Sequence, residues 1–340
     1  MNEKFPTIAV VDNWDGAGNL MSIKKADLTR EYCEQKHGLI CKTIIENKLT
    51  NAKMIPVLVF KPGELNAGIE SFLRALMKCN ELCVDIVNLS LGSIHPKDFH
   101  DIQRMCQYLI TRGIIIVASC DNNGNYTVPA CSDGVIGVEQ NDDLLPNKMF
   151  IDTVTNNIII NAKCRINVFD GIWEIPSSSS FATAIVTSKI AEIFATKGLR
   201  TTQEIINEIK ENTPTYIRKQ MSNQDIPEIL IVGKCNEHSL YEMERFFENK
   251  NYNVGYYQLD GKLGCMPIGR TKILECYGYD IRICLATRNY EENKADFLIV
   301  KSNNRFKVYN QVSKKLCSFI TRYAAFNYIV NYLEKGDNYE

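Results

Sequence analysis

Residues 84–119 read VDIVNLSLGSIHPKDFHDIQRMCQYLITRGIIIVAS, and the succession of patterns within them decides the fold class. VDIVNL at 84–89 is a short apolar run of the kind found in strands buried on both faces. Apolar residues then recur at helical spacing over 98–112. Gly113 opens GIIIVAS at 113–119, the most strand-like run in the chain. Strands that alternate with helices in this way build a parallel sheet covered on both sides.

The alternation continues in both directions. Upstream, TIAVVD at 7–12 is a buried strand ending in an acid, MIPVLVF at 54–60 is a second, and GIESFLRALMKCNEL at 68–82 is a helix between strands. Downstream, residues 132–175 carry short strand-like runs (GVIGVE, NIIINA, INVFDG). A serine tract at 177–180 then leads into FATAIVTSKIAEIFATKG, a helix with Gly198 placed as its C-cap. TTQEIINEIKEN forms another helix, capped by Thr201 or Thr202 and stopped by Pro214. The expected fold is α/β, a doubly wound and mostly parallel sheet over residues 1–213. Polar residues 214–226 read as a linker. Residues 227–340 read as a second, smaller α/β domain, with strands at EILIVG and near 253–258, 280–286 and 296–301, and helices at 238–249 and 313–335.

Composition narrows the function classes. At 340 residues the chain has room for two domains, and 45% apolar with 23% charged residues is ordinary for a globular protein. A net charge of −1 gives no electrostatic reason to expect nucleic acid or an anionic membrane as partner. No apolar stretch reaches the roughly 18 residues of a membrane helix, and MNEKFPTIAVVD lacks the pattern of a secretory signal. The 13 cysteines are odd in number, and Cys41, Cys83, Cys106, Cys120 and Cys284 sit inside apolar runs. Buried thiols in a reducing, cytoplasmic setting fit this better than a disulfide framework. No cofactor or metal is expected. There is no Cys/His cluster with zinc spacing, and the acid pairs Asp142–Asp143 and Glu291–Glu292 lack a ladder of oxygen ligands. His238 reads as a surface or capping residue.

Four histidines, His37, His95, His100 and His238, are the imidazoles available to serve as a base. A serine nucleophile needs such a base within hydrogen-bond reach, and the base needs an acid to fix its tautomer. Asp12 ends a buried strand, where an unpartnered carboxylate is costly. His37 opens the helical stretch HGLICKTIIENKL. Ser180 stands at the start of a helix, whose N–H groups and dipole favour a developing negative charge. Taken singly, each has a plain structural explanation as a turn, a chance His-Gly or an N-cap.

Together and in this order, they resemble the subtilase family of serine proteases. IAVVDNW resembles that family's aspartate block, HGLICKTII its histidine block, VDIVNLSLGS the strand walling its substrate cleft, GIIIVASCDNNGN and TVPACSDGVIGV its oxyanion block, and SSSSFATAIVTSKIA its nucleophile block. The resemblance spans about residues 7–200. It implies a subtilisin-like fold and a serine endopeptidase, with Asp12, His37 and Ser180 as the triad and Asn122 as oxyanion donor. It also implies that Ser90, Leu91 and Gly92 pair with an extended peptide substrate. The serine tract leaves Ser179 as the alternative nucleophile, and Asn123 as the alternative to Asn122. Two departures stand out: Ser178 and Asp121 both replace glycines of the family pattern. The C-terminal domain carries no chemical motif and is expected to recruit a substrate or partner. Trimming of a ribosomally made peptide is the role that analogy suggests. The alternative is a pseudoprotease that holds a peptide without cutting it.

Overall fold

A computed structural model describes residues 5–13, 24, 30–49, 51–59, 67–146, 148–168, 170–217, 227–233, 242–243, 245–247, 249–250, 252, 254–258, 266–267, 280–286, 295–302 and 305–335. The chain divides into two units, Met1–Ile94 with Asp101–Arg218 and His95–His100 with Lys219–Glu340.

Over residues 7–216 the elements follow in chain order as β1 (Thr7–Asp12), α1 (Arg30–Gln35), α2 (His37–Lys48), β2 (Lys53–Leu58), α3 (Ile69–Glu81), β3 (Ile86–Leu89), α4 (Pro96–Thr111), β4 (Ile115–Ser119), β5 (Ile136–Gln140), β6 (Met149–Asp152), β7 (Ile158–Ile160), β8 (Cys164–Val168), β9 (Gly171–Ile175), α5 (Ser179–Lys197), α6 (Thr202–Asn212) and β10 (Thr215–Tyr216). Eight strands form one sheet in the order β10-β6-β7-β5-β4-β3-β1-β2. All pairs are parallel except β6 with β7. The strands β8 and β9 form a separate hairpin. The expected fold class is the observed one.

Burial explains why the central strands read as unbroken apolar runs. Ile8, Val10, Ile86, Ile115 and Val117 face a core shared with Ile40, Ile44 and Ile45 of α2 and Ala182, Ile185, Val186 and Ile190 of α5. Phe72 and Leu76 of α3 and Ile102, Cys106 and Leu109 of α4 are buried outside that core, so both faces of the sheet are covered. β2 was expected to be buried, but it lies at the edge of the sheet with Leu58 half-exposed. Pro56 has no N–H to give a second neighbour, and that confines the strand to an edge. Helix ends follow local chemistry. Gly198 closes α5 in the left-handed region at φ 71°, and Thr201 caps α6 in a reciprocal capping box with Glu204. Two residues expected in the linker, Thr215 and Tyr216, instead pair with β6.

The chain leaves β1 for β2 on one side and then crosses to β3 on the other. The carboxyl ends of β1 and β3 therefore flank a topological switch point, where open α/β sheets leave a crevice.

The second unit contains β11 (Glu228–Val232), β12 (Val254–Gln258), β13 (Met266–Pro267), β14 (Ile281–Ala286), β15 (Phe297–Ser302), β16 (Arg305–Asn310), β17 (Lys315–Phe319) and α7 (Arg322–Lys335). Its sheet runs β13-β12-β14-β11-β15-β16-β17, parallel up to β15 and antiparallel beyond. The helix expected over 313–335 is shorter than its pattern suggested, because Lys315–Phe319 pairs with β16. Asn310 makes the turn by accepting bonds from the N–H groups of Val312 and Ser313 at 3.0 Å each, and Lys314 sits at φ 58°. Such an asparagine turn ends one strand and aims the chain into the next. The helix expected over 238–249 lies mostly outside the described residues, as does His238.

Candidate active site

Asp12 is the last residue of β1 and is 2% exposed. Its Oδ2 lies 2.8 Å from Nδ1 of His37, the first residue of α2, and its Oδ1 accepts the N–H of Asn13 at 2.7 Å. A buried carboxylate is thus met by an imidazole and a backbone donor. The His37 side chain keeps 23% of its surface. Burial alone pulls its pKa down, but the Asp12 charge and hydrogen bond outweigh this and raise it above the ordinary imidazole value. The Asp12 contact also occupies Nδ1, leaving Nε2 as the nitrogen free to take a proton.

The serine tract resolves into three different environments. Ser178 is the N-cap of α5, its hydroxyl accepting from the N–H of Phe181 at 3.3 Å. Ser179 is buried and accepts from the N–H of Gln140 at 3.3 Å. Ser180 is half-buried in the first turn of α5, and its Oγ donates to the carbonyl of Ser90 at 3.2 Å. Phe181 stacks on the His37 ring with centroids 5.2 Å apart, which brings the start of α5 beside the imidazole.

Asn122 reaches the same place from the loop after β4. Its Oδ1 accepts the N–H of Ser179 at 2.8 Å, which leaves its amide N–H groups at the mouth of α5. Asn122 and Asn123 are both exposed, and it is the Asn122 side chain that bonds the start of α5. The acid that replaces a glycine, Asp121, turns into its own loop. Its Oδ2 accepts from the backbone N–H of Asn123 (2.9 Å), that of Asn125 (3.3 Å) and the Asn125 side chain (2.8 Å). Three donors on one carboxylate oxygen occupy its charge locally.

The segment leaving β3 is more deeply used than a peptide-pairing wall requires. Ser90 is buried, and its Oγ donates to the carbonyl of Ser180 (3.1 Å), accepts from Asn88 Nδ2 (3.0 Å) and lies 3.4 Å from the Cys41 sulfur. Asn88 in turn accepts from Thr187 of α5 at 2.9 Å. This buried chain locks α5 to β3. Leu91 and Gly92 are the more accessible members. A Cβ on Gly92 would sit 2.7 Å from Thr127 Cγ2 and 2.9 Å from the Val128 carbonyl, so glycine is required by close approach.

Two residues at the site had no role there in the sequence reading. Asn13 holds α2 in position: its Oδ1 accepts the N–H of Gly38 at 3.1 Å, and its Nδ2 donates to the Glu34 carbonyl. Cys41 lies one helical turn beyond His37, which the spacing i, i+4 makes readable in retrospect. Asp12, His37 and Cys41 bring their ligand atoms within 4.8 Å of one another and are, among the described residues, a group able to hold a thiophilic ion. Burial and the Asp12 charge keep the Cys41 thiol well above its usual pKa. The ten described cysteines are thiols, not joined to one another in disulfides. Asp142 accepts from Ser177 Oγ at 2.7 Å, and the acid pair Glu291–Glu292 lies outside the described residues.

No protein-family model and no curated protein matches the chain. Among solved structures it is similar to the prenylagaramide maturation protease PagA, at 17% identity over 60% of this chain and 82% of that one, with a TM-score of 0.46. It is also similar to the self-cleaved protease domain of PatA (16%, 62% and 89%, TM-score 0.47) and to a chain of the subtilase cytotoxin SubAB assembly (15%, 63% and 84%, TM-score 0.49). No helix among the described residues is long and apolar enough to cross a membrane.

Proposed function

We propose that the protein is a serine endopeptidase in which Ser180 is the nucleophile, His37 the general base and Asp12 the residue that orients and stabilises the imidazolium. The observation that carries this reading is the part-buried Asp12–His37 pair at 2.8 Å, set at the switch point beside the N-terminus of α5. Ser180 turns its hydroxyl from the Ser90 carbonyl to His37 Nε2, a rotation about χ1. Its Oγ attacks the peptide carbonyl, and His37 takes the proton. The tetrahedral oxyanion is held by the N–H of Ser180 and the amide of Asn122. His37 then returns the proton to the leaving amine, and water hydrolyses the acyl-enzyme by the same route. Ser179 is the weaker candidate for the nucleophile, because its hydroxyl is buried against Gln140.

The substrate is an extended segment of a peptide or protein, paired against the segment Ser90–Gly92, and the resemblance suggests a ribosomally made precursor trimmed in the cytoplasm. The 227–340 unit recruits that substrate. A second reading, a peptide-binding pseudoprotease, is favoured by one observation: the Ser180 hydroxyl is engaged by the Ser90 carbonyl. A fluorophosphonate probe decides between them. Wild type labels covalently and Ser180→Ala does not. Absence of wild-type labelling establishes the pseudoprotease, and labelling that survives Ser180→Ala moves the nucleophile elsewhere.

A further inference from the structure

The second unit ends its sheet in an edge that is unusual in both charge and apolarity. β17 is the last strand in the order, with β16 on one side and no strand on the other among the described residues. Every second residue of such a strand turns an N–H and a C=O outward, ready to pair with another chain. Residues 297–323 contain Lys301, Arg305, Lys307, Lys314, Lys315 and Arg322 and no Asp or Glu, in a chain whose net charge is −1. Of these six, Arg322 has a carboxylate near it among the described residues, Glu242 at 3.6 Å.

Lysines on an edge strand commonly serve only to ward off self-association. That explanation does not cover the apolar residues here. Tyr309, Val312, Leu316, Ile320 and Tyr323 are five of the 13 large apolar side chains exposed on the described residues, gathered within 15 positions, with Ile320 at 74% and Leu316 at 56%. Register places Leu298, Tyr309 and Leu316 in one row across β15, β16 and β17. That row lies on the face opposite the one where Ile299, Val308 and Phe326 make the core. The row runs out to the free edge. A guarded edge would carry charge alone; this one carries apolar contacts with charge around them.

We infer that the β16–β17 edge binds an extended, acidic segment of the substrate as an added strand. The outward backbone groups of β17 recognise an extended chain, the Leu298–Tyr309–Leu316 row takes its apolar side chains, and the lysines and arginines select acids. A second copy of this chain is disfavoured as occupant, since it would bring together two segments 297–323 that each carry six basic residues and no acid. The inference deepens the peptidase reading and rests on it for the identity of the ligand as substrate. Binding at this edge requires no catalysis.

The test uses full-length Ser180→Ala and fluorescence anisotropy with a labelled 12-residue peptide of alternating glutamate and valine. Comparison probes are the same peptide with lysine for glutamate, a fully N-methylated version, and a 12-nucleotide single-stranded DNA. The glutamate peptide is expected to bind. Lys307→Glu/Lys315→Glu weakens it about tenfold, because two attractions become repulsions, while Lys307→Arg/Lys315→Arg retains it. The lysine and N-methylated peptides fail to bind. Unchanged affinity in the charge-reversed variant, equal binding of the lysine peptide, or equal binding of the N-methylated one overturns the proposal. DNA binding as tight as the glutamate peptide overturns it in favour of a nucleic-acid face. Fluorophosphonate labelling of Ser180 in the Lys307→Glu/Lys315→Glu chain, expected to be unchanged, reports on the peptidase reading separately.

Discussion

Replacing Asp12 by asparagine isolates the contribution of one charge to the proposed chemistry. Shape and burial are conserved, and the side-chain carbonyl can still face His37 Nδ1 across the 2.8 Å contact. The imidazole is neutral before attack and cationic in the transition state, so the lost carboxylate charge counts almost wholly against the transition state. A unit pair at about 4 Å is worth about 4 kcal/mol at an effective dielectric of about 20. Loss of charge assistance in the hydrogen bond removes on the order of 1 kcal/mol more. At 1.36 kcal/mol per decade, kcat/KM should fall by about 10⁴-fold. The pH profile carries a second signature. His37 is raised above its ordinary value because Asp12 overcomes the effect of burial, so wild-type activity should climb through a limb lying above about pH 6.5. Without the charge only burial remains, and the limb should move to lower pH. The assay is the second-order rate of fluorophosphonate labelling from pH 5 to 9, which needs no known substrate. A variant within tenfold of wild type, or a limb that stays put, would refute the reasoning. The same linkage has a stability side. A raised histidine stabilises the fold fully below its unfolded pKa of about 6.5, and that contribution is lost as pH rises through the folded value.

Asn122→Ala should lower labelling and peptide hydrolysis by about 100- to 1,000-fold, the usual loss for one oxyanion donor, with the His37 limb unmoved. Asn13→Ala removes two bonds that hold the entry to α2 and should cost about 1–3 kcal/mol in chemical unfolding; the pH limb should shift as well, which a purely structural residue would not cause. Iodoacetamide should modify Cys83, which is exposed, while Cys79 and Cys106, whose thiols burial pushes up to about 12, and Cys41 stay unmodified in the native state, as peptide mass mapping will show. Gly92→Ala should destabilise the segment after β3 and cut labelling severely, because Thr127 and the Val128 carbonyl already occupy the space a methyl needs.

Much of this was legible in the sequence, for identifiable reasons. The central strands β1, β3 and β4 are buried on both faces and so appear as unbroken apolar runs. The caps at Gly198 and Thr201 are local chemistry, readable within four residues. Asp12 and His37 lie at an element's end and start, where a polar residue beside an apolar run is conspicuous. What stayed hidden depends on long-range contact. Nothing near the serine tract says that Ser179 faces Gln140 while Ser180 faces Ser90, since those partners lie 39 and 90 positions away. Asn13 is an ordinary residue until Glu34 and Gly38 fold onto it. The β16–β17 hairpin was hidden for the opposite reason, its residues being equally able to continue the helical pattern of α7 until pairing with β15 decides otherwise.

The buried chain from Thr187 through Asn88 and Ser90 to Ser180 joins the late helix α5 to a strand made almost a hundred residues before it. During synthesis Asp12 and His37 leave the ribosome early, but the crevice beside them lacks its floor and the proposed nucleophile, Ser180, until α5 arrives. On the proposed reading, the half-made polypeptide therefore cannot cut its own unfolded segments or those of its neighbours. For a peptidase of the proposed kind, the order in which the chain emerges is itself a safeguard, one that needs no inhibitor and operates once per molecule.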